Sequence, residues 1–410
     1  MSNVRIKKII DYKFSYTGIF FLVLVIISLR VCAEWLLLEF PVRLDIFQEY
    51  VRFYLENVYY FLVVFLLSAV MVAKIANLKL IKVMNFGAKL YPVIILPPLI
   101  DRLLFGRIEG YCYATVPNFF GNFLSLSFLK GDATLGISIE ILIGLLGLFL
   151  YVFLKTGKIW KGVLIFLLVD LLLVIISTPD LFLYRSDYWF DVFLPAYYFL
   201  PFLTFLAMTL YIYNKKKLMA ILRNMRFVRS FVFVCAVLLG GLVRYLATYH
   251  IYWLNLVMGT FAIFLVWQVS IIVNDICDIA IDEMTNKSRP LVEGSLTVKE
   301  YRLTAVILSF LALSFAVVIS LRLFLYVLFG LYLAYIYSAL PFRLRKNLAG
   351  NLVLGISLSL SFLTGIYSSG KYYIAVNKYL FLTVLLFIFG AVITLVKDIK
   401  DIVSIAGPDD

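Results

Sequence analysis

A chain of 410 residues, 64% hydrophobic and only 15% charged, lies far from soluble composition, which is roughly 45–50% apolar and about 25% charged. Its mean hydropathy of +1.01 excludes a water-facing surface around one core, and its unbroken apolar runs exclude an outer-membrane barrel, whose strands alternate. The net charge of +13 is no nucleic-acid footprint either, because the basic residues sit in short clusters between apolar runs, as membrane topology requires. The expected fold is all-α: a polytopic transmembrane bundle of about twelve helices.

The first expected span, residues 14–31, follows Arg5, Lys7, Lys8 and Lys13. Arg30 and Glu34 stand where a signal-peptide cleavage site needs small residues, so this span reads as a retained anchor. Spans at 57–74 and 83–100 come next, and Pro97-Pro98 with Asp101-Arg102 reads as a broken helix end in a capped turn. Spans at 133–154 and 162–178 contain Glu140 and Asp170. A charge at the bilayer centre costs roughly 2.5–3.5 kcal/mol on insertion scales. Such an acid is either functional or a protonated, hydrogen-bonded structural group, and for Asp170 both readings stay open.

A sixth span, 190–213, is followed by the basic stretch Asn214–Arg229, too polar to cross a membrane. It divides the chain into a six-helix membrane module of unknown role, residues 1–227, and a second part, residues 228–410. That part contains expected spans at 228–249, 251–274, 303–320, 322–340, 350–369 and 377–396. An inverted-repeat transporter would show corresponding features in both halves, but the first half has no counterpart to the acidic loop of the second. With the N-terminus in the cytoplasm, most of the 37 Lys and Arg residues fall on the cytoplasmic side of this map. The expectation is an integral protein of the cell (inner) membrane. The four cysteines lack CxxC spacing and there is one histidine, His250, so any metal would need oxygen ligands.

Val273–Glu300 carries the chemistry. Asn274, Asp278 and Asp282 are spaced i, i+4, i+8, with Asp275 beside the first, which places them on one stripe of a helix. Like charges on one stripe repel and require a counter-charge, for which a hard divalent cation with oxygen ligands fits best. A solvated helix end with a chance acidic cluster is the plainer alternative. Lys287 and Arg289 follow within one loop, able to contact phosphate oxygens. A second acidic pair, Asp398 and Asp401, comes after the last span with Lys397 beside it.

Asn274-Asp275-x-x-Asp278-x-x-x-Asp282, followed by Asn286-Lys287-Ser288-Arg289-Pro290, resembles the first aspartate-rich motif of the UbiA family of intramembrane prenyltransferases. Lys397-Asp398-x-x-Asp401 resembles the start of that family's second motif. Tyr337–Arg345, with Gly350-Asn351 after it, resembles the loop between the family's fourth and fifth helices. The resemblance covers about residues 228–401. It implies a helical bundle around a lipid-facing cavity, with Asp275, Asp278, Asp282, Asp398 and Asp401 binding Mg²⁺ at its cytoplasmic mouth. Asn274, Lys287, Arg289 and Lys397 would hold a polyprenyl diphosphate, and the second substrate would be a lipid-soluble or aromatic acceptor, with no nucleic acid involved. Ile405 stands near the place of a further family acid, and six expected spans against the family's nine suggest a chain truncated at its C-terminus. A transporter or lipid-handling protein with an acidic cation site, and a non-catalytic family member, are the alternatives.

Overall fold

Backbone amides in a bilayer core find no water, so an apolar run there must satisfy them internally, as a helix does. The computed structural model of the protein describes residues 13–37, 47–106, 114–125, 133–181, 190–285, 288–369 and 379–406. Within its helices, the side chains of 47–48, 124–125, 190–196, 229, 285 and 397–406 lie outside that description. Each of the twelve expected spans is helical. Among the described residues, ten helices are long and apolar enough to cross a membrane, and a shorter apolar helix covers Leu380–Val396. The chain is an integral membrane protein.

It forms two compact units, Met1–Tyr213 and Asn214–Asp410. The first contains α1 (Tyr16–Leu37), α2 (Phe47–Ala76), α3 (Leu80–Leu90), α4 (Leu96–Phe105), α5 (Phe119–Ser125), α6 (Leu135–Thr156) and α7 (Ile159–Ser177). Between α3 and α4 the chain tightens into a 3-10 helix, Tyr91–Ile95. Prolines head both that helix and α4, where a missing N–H costs nothing. Asp101 of α4 is buried and caps α6: its carboxylate accepts from the Gly136 N–H at 2.8 Å and the Thr134 hydroxyl at 2.6 Å.

The helix α8 (Phe190–Asn224) runs across the division, broken at Asn214 (φ −156°, ψ 92°). The Asn214 side chain accepts from the Lys217 N–H at 3.1 Å, so the helix restarts there with an N-cap. The division therefore falls at the head of the basic stretch, most of which is helix belonging to the second unit.

The second unit continues with α9 (Phe227–Thr248), α10 (Trp253–Cys277), α11 (Ile279–Thr285), α12 (Val298–Ile319), α13 (Leu321–Ser338), α14 (Ala349–Ser368) and α15 (Leu380–Ala406). A capping box starts α12, with Thr297 accepting from the Glu300 N–H and Glu300 accepting from the Thr297 N–H. Ala236, Leu358, Phe362, Ile366 and Tyr379 form one core where α9, α14 and α15 meet, and Ala220, Ile272, Leu296 and Tyr301 form another beneath the aspartates.

The crossing of α9 and α14 is backbone against backbone. A Cβ at Gly240 would strike the Phe362 carbonyl, and one at Gly365 the Val237 carbonyl. Small residues allow this approach where helix association in lipid depends on packing. Gly365→Leu should therefore destabilise the second unit by at least about 1–3 kcal/mol through overpacking. Gly144→Ala, where a Cβ meets nothing within 4 Å, should unfold no earlier than wild type. Thermal unfolding of the two variants in one detergent checks the contrast.

Candidate functional site

The helix that carries the first aspartates does not run straight through them. α10 ends at Cys277 and Asp278 adopts a non-helical conformation (φ −110°, ψ 11°). The Asp278 carbonyl then accepts from the Ile281 and Asp282 N–H groups at 2.9 and 2.8 Å, which starts α11. The single stripe expected for Asn274, Asp278 and Asp282 is thus corrected: the helix breaks at the middle residue. The physical reason is charge, because the break aims Asp278 and Asp282 at different arginines instead of stacking them.

Asp278 is saturated. Arg345 clamps it with two guanidinium nitrogens, Arg343 Nη2 reaches it at 2.9 Å, and Asn274 Nδ2 donates at 3.1 Å. A carboxylate offers about four acceptor positions, and these bonds fill them. The Asn274 carbonyl oxygen in turn accepts from Arg345 at 2.5 Å and from Ser338 at 3.2 Å. Both arginines come from the short loop after α13. Arg343 adopts the left-handed conformation (φ 39°, ψ 50°), which non-glycine residues avoid unless the surroundings impose it. Gly350 allows α14 to seat beneath this loop, because a Cβ there would lie 2.7 Å from the Arg345 Cα.

Asp275, only 1% exposed, is held from the opposite side. Arg226 Nη2 donates at 2.8 Å, Asn224 Nδ2 at 2.6 Å and the Tyr301 hydroxyl at 3.3 Å. Arg289 lies between two acids, its Nη1 3.4 Å from Asp275 and its Nε 3.8 Å from Asp282. Nearby, Lys217 pairs with Glu300. Four arginines against three carboxylates leave this cluster net positive. The Nε–H groups of Arg289 and Arg343 are buried and make no hydrogen bond, so donor capacity remains for an anionic ligand.

Asp282 differs from its neighbours. It is buried, 8% exposed, and among the described residues its carboxylate accepts no hydrogen bond. Burial, and then the charges of Asp275 and Asp278, push its carboxyl above the ordinary aspartate value. Burial also acts upward on Asp278, but the hydrogen bonds and charge of Arg345 and Arg343 outweigh it and hold that carboxyl below its ordinary value. Among the described residues, no three His, Cys, Asp or Glu side chains come together to hold a metal. Mg²⁺ commonly takes only one or two carboxylates and completes its shell with phosphate oxygens and water. By donor chemistry Asp282 fits that role, whereas Asp275 and Asp278 are committed to arginines.

The described part of the site thus brings together Asn274, Asp275, Asp278, Asp282 and Arg289 from the sequence expectation. Lys287 lies outside the described residues, as do the side chains of Lys397, Asp398 and Asp401; the backbone of those three is the last part of α15. Sequence reasoning assigned no role to Asn224, Arg226, Tyr301, Arg343 or Arg345. For the last two a signal existed in Tyr337–Arg345. For Asn224 and Arg226 none did, since they sit in a basic stretch read as a divider.

The opposite shifts of two neighbouring carboxyls give opposite pH behaviour. The contribution of Asp282 to stability is complete below the ordinary aspartate value and lost as pH rises through its raised one. That of Asp278 is present above the ordinary value and lost as pH falls through its depressed one. Asp282→Asn should therefore raise the melting temperature near neutral pH, with the gain vanishing toward about pH 4 and below. Asp278→Asn should lower it near neutral pH, because two guanidinium groups lose their counter-charge. Unfolding curves of both variants across this pH range check the signs.

No curated protein and no solved structure matches the chain. The likeness to a known family falls on the part that contains the arginine–aspartate network: residues 233–405 match the model of the UbiA prenyltransferase family.

Proposed function

We propose that the second unit transfers a polyprenyl group from its diphosphate to a lipid-soluble or aromatic acceptor within the membrane. The reading is carried by one observation: a net-positive cluster with unused arginine donors and one open carboxylate, at the end of apolar helices matching that family. In the reaction the bond between the allylic carbon and the diphosphate oxygen breaks. A bond from that carbon to the acceptor forms, the acceptor loses a proton and diphosphate departs. Arg289, Arg343 and Arg345 would bind the diphosphate oxygens, where negative charge accumulates as the bond breaks. Lys287 and Lys397 would add to that charge. Mg²⁺ would supply further counter-charge to the leaving group when bound, held by Asp282 together with Asp398 and Asp401. Asp275 and Asp278 would position the arginines, and Asn274 would orient Asp278 and Arg345. The site would open on the cytoplasmic side, a reading supported by the bias of the basic clusters.

The acceptor is proposed to meet Gln268. This residue precedes Asp275 by seven positions and so shares its face of α10, about 10 Å farther along the helix. Gln268 is 3% exposed and its Nε2 makes no hydrogen bond, so an acceptor oxygen would satisfy a buried donor.

Binding of a radiolabelled allylic diphosphate to the full chain in lipid nanodiscs, with and without Mg²⁺, tests this reading. Arg345→Ala should weaken binding in both conditions by about 10-fold or more, and Asp282→Asn should remove the Mg²⁺ enhancement. Gln268→Leu should leave diphosphate binding intact and raise the acceptor KM in a transfer assay. Binding indifferent to Mg²⁺ and to Arg345 would refute the proposal.

A further inference from the structure

The first unit contains a partly open cavity of about 520 Å³, within the range of small-molecule sites. It lies among α1, α2, α3, α6 and α7, walled by apolar and aromatic side chains such as Phe61, Phe65, Leu145 and Leu173. Four acids line it, Glu34, Glu56, Glu140 and Asp170, against a single base, Arg30. That base is fully engaged. Its Nε donates to Glu34 at 2.9 Å, its Nη1 to Glu140 at 3.1 Å and to the Ile94 carbonyl, and its guanidinium lies 5.7 Å from the Phe61 ring centroid. No cationic donor is left over for an anionic ligand.

Three polar groups on the lining have no partner. Asp170, 3% exposed, is engaged by no hydrogen bond or ion pair among the described residues. Glu34 Oε2 and Ser68 Oγ are buried without hydrogen bonds, in residues 1% and 8% exposed. Buried polar atoms are normally satisfied, and their convergence on one cavity points to a ligand that completes them. With Arg30 engaged by Glu34 and Glu140, the unpartnered Asp170 carboxylate favours a cation, and the Tyr91 ring on the same lining would stabilise it further.

We infer that this cavity is a binding site for a hydrophobic organic cation, of the protonated-amine or quaternary-onium class, with Asp170 as its counter-ion. Arg30 holds Glu34 and Glu140 in place, and Ser68 and the free Glu34 oxygen accept hydrogen bonds from the ligand. The inference concerns the first unit alone and stands apart from the diphosphate site.

Two probes of one shape and opposite charge test it: tetraphenylphosphonium and tetraphenylborate, measured by equilibrium binding to the full chain in nanodiscs, with empty nanodiscs subtracted. The phosphonium should bind saturably and the borate should not. Asp170→Asn, which keeps the shape and removes the charge, should weaken phosphonium binding at least about 10-fold, and Asp170→Glu should retain it. Gly144→Leu fills the cavity from a point where a Cβ meets nothing within 4 Å, so the helix should tolerate it and binding should be lost. Equal binding of the two probes, or phosphonium binding that survives either Asp170→Asn or Gly144→Leu, overturns the inference.

Discussion

A carboxylate withdrawn from water must be matched by something, and the second unit depends on how it meets that requirement. Asp275, Asp278 and Asp282 are all buried at the end of an apolar helix, where an unpaired charge is expensive. Guanidinium groups converge on them from the turn between α8 and α9, the loop before α12 and the loop after α13. These ion pairs tie together segments far apart in sequence. They also fix local backbone choices that propensity alone would not select: the helix break at Asp278 and the left-handed Arg343.

The pairing is uneven, and the unevenness is where chemistry enters. Asp275 and Asp278 have their acceptor positions filled by protein donors. Asp282 does not, and it is crowded by the other two. Leaving one carboxylate under-satisfied lowers stability and leaves the site able to gain from a cation, a trade common at functional sites. The arginines show the complementary feature, with buried Nε–H groups unused. A ligand that brings both negative oxygens and an oxygen-coordinated cation would relieve both defects at once.

The first unit meets the same constraint differently. Its intramembrane acids outnumber the one arginine that lines their cavity, and Asp170, Glu34 Oε2 and Ser68 Oγ share that cavity. Asp101 marks the contrast, since its carboxylate is spent on capping α6. Intramembrane polarity in this unit serves architecture at Asp101 and leaves open valences at the cavity.

The sequence by itself determined the membrane class and the place of the twelve expected spans, though not of the short helices α5 and α11, because lipid permits few backbone solutions and an apolar run of about 20 residues declares one of them. It also located Asn274, Asp275, Asp278, Asp282 and Arg289, whose spacing is local and whose chemistry is legible one residue at a time. The tertiary structure alone decided which charges meet. Arg226 and Asn224 reach Asp275 from about 50 residues away, and Arg343 and Arg345 reach Asp278 from more than 60. Nothing in a basic cluster written along the chain says which acid it will face. The helix break at Asp278 was likewise hidden, since an i, i+4, i+8 pattern reads as one continuous helix until the arginines that pull it apart are in place. Asp170 was visible in the sequence as a lone acid in an apolar run. That it lines a cavity with no protein partner depends on four other helices packing around it, and only folding brings those together.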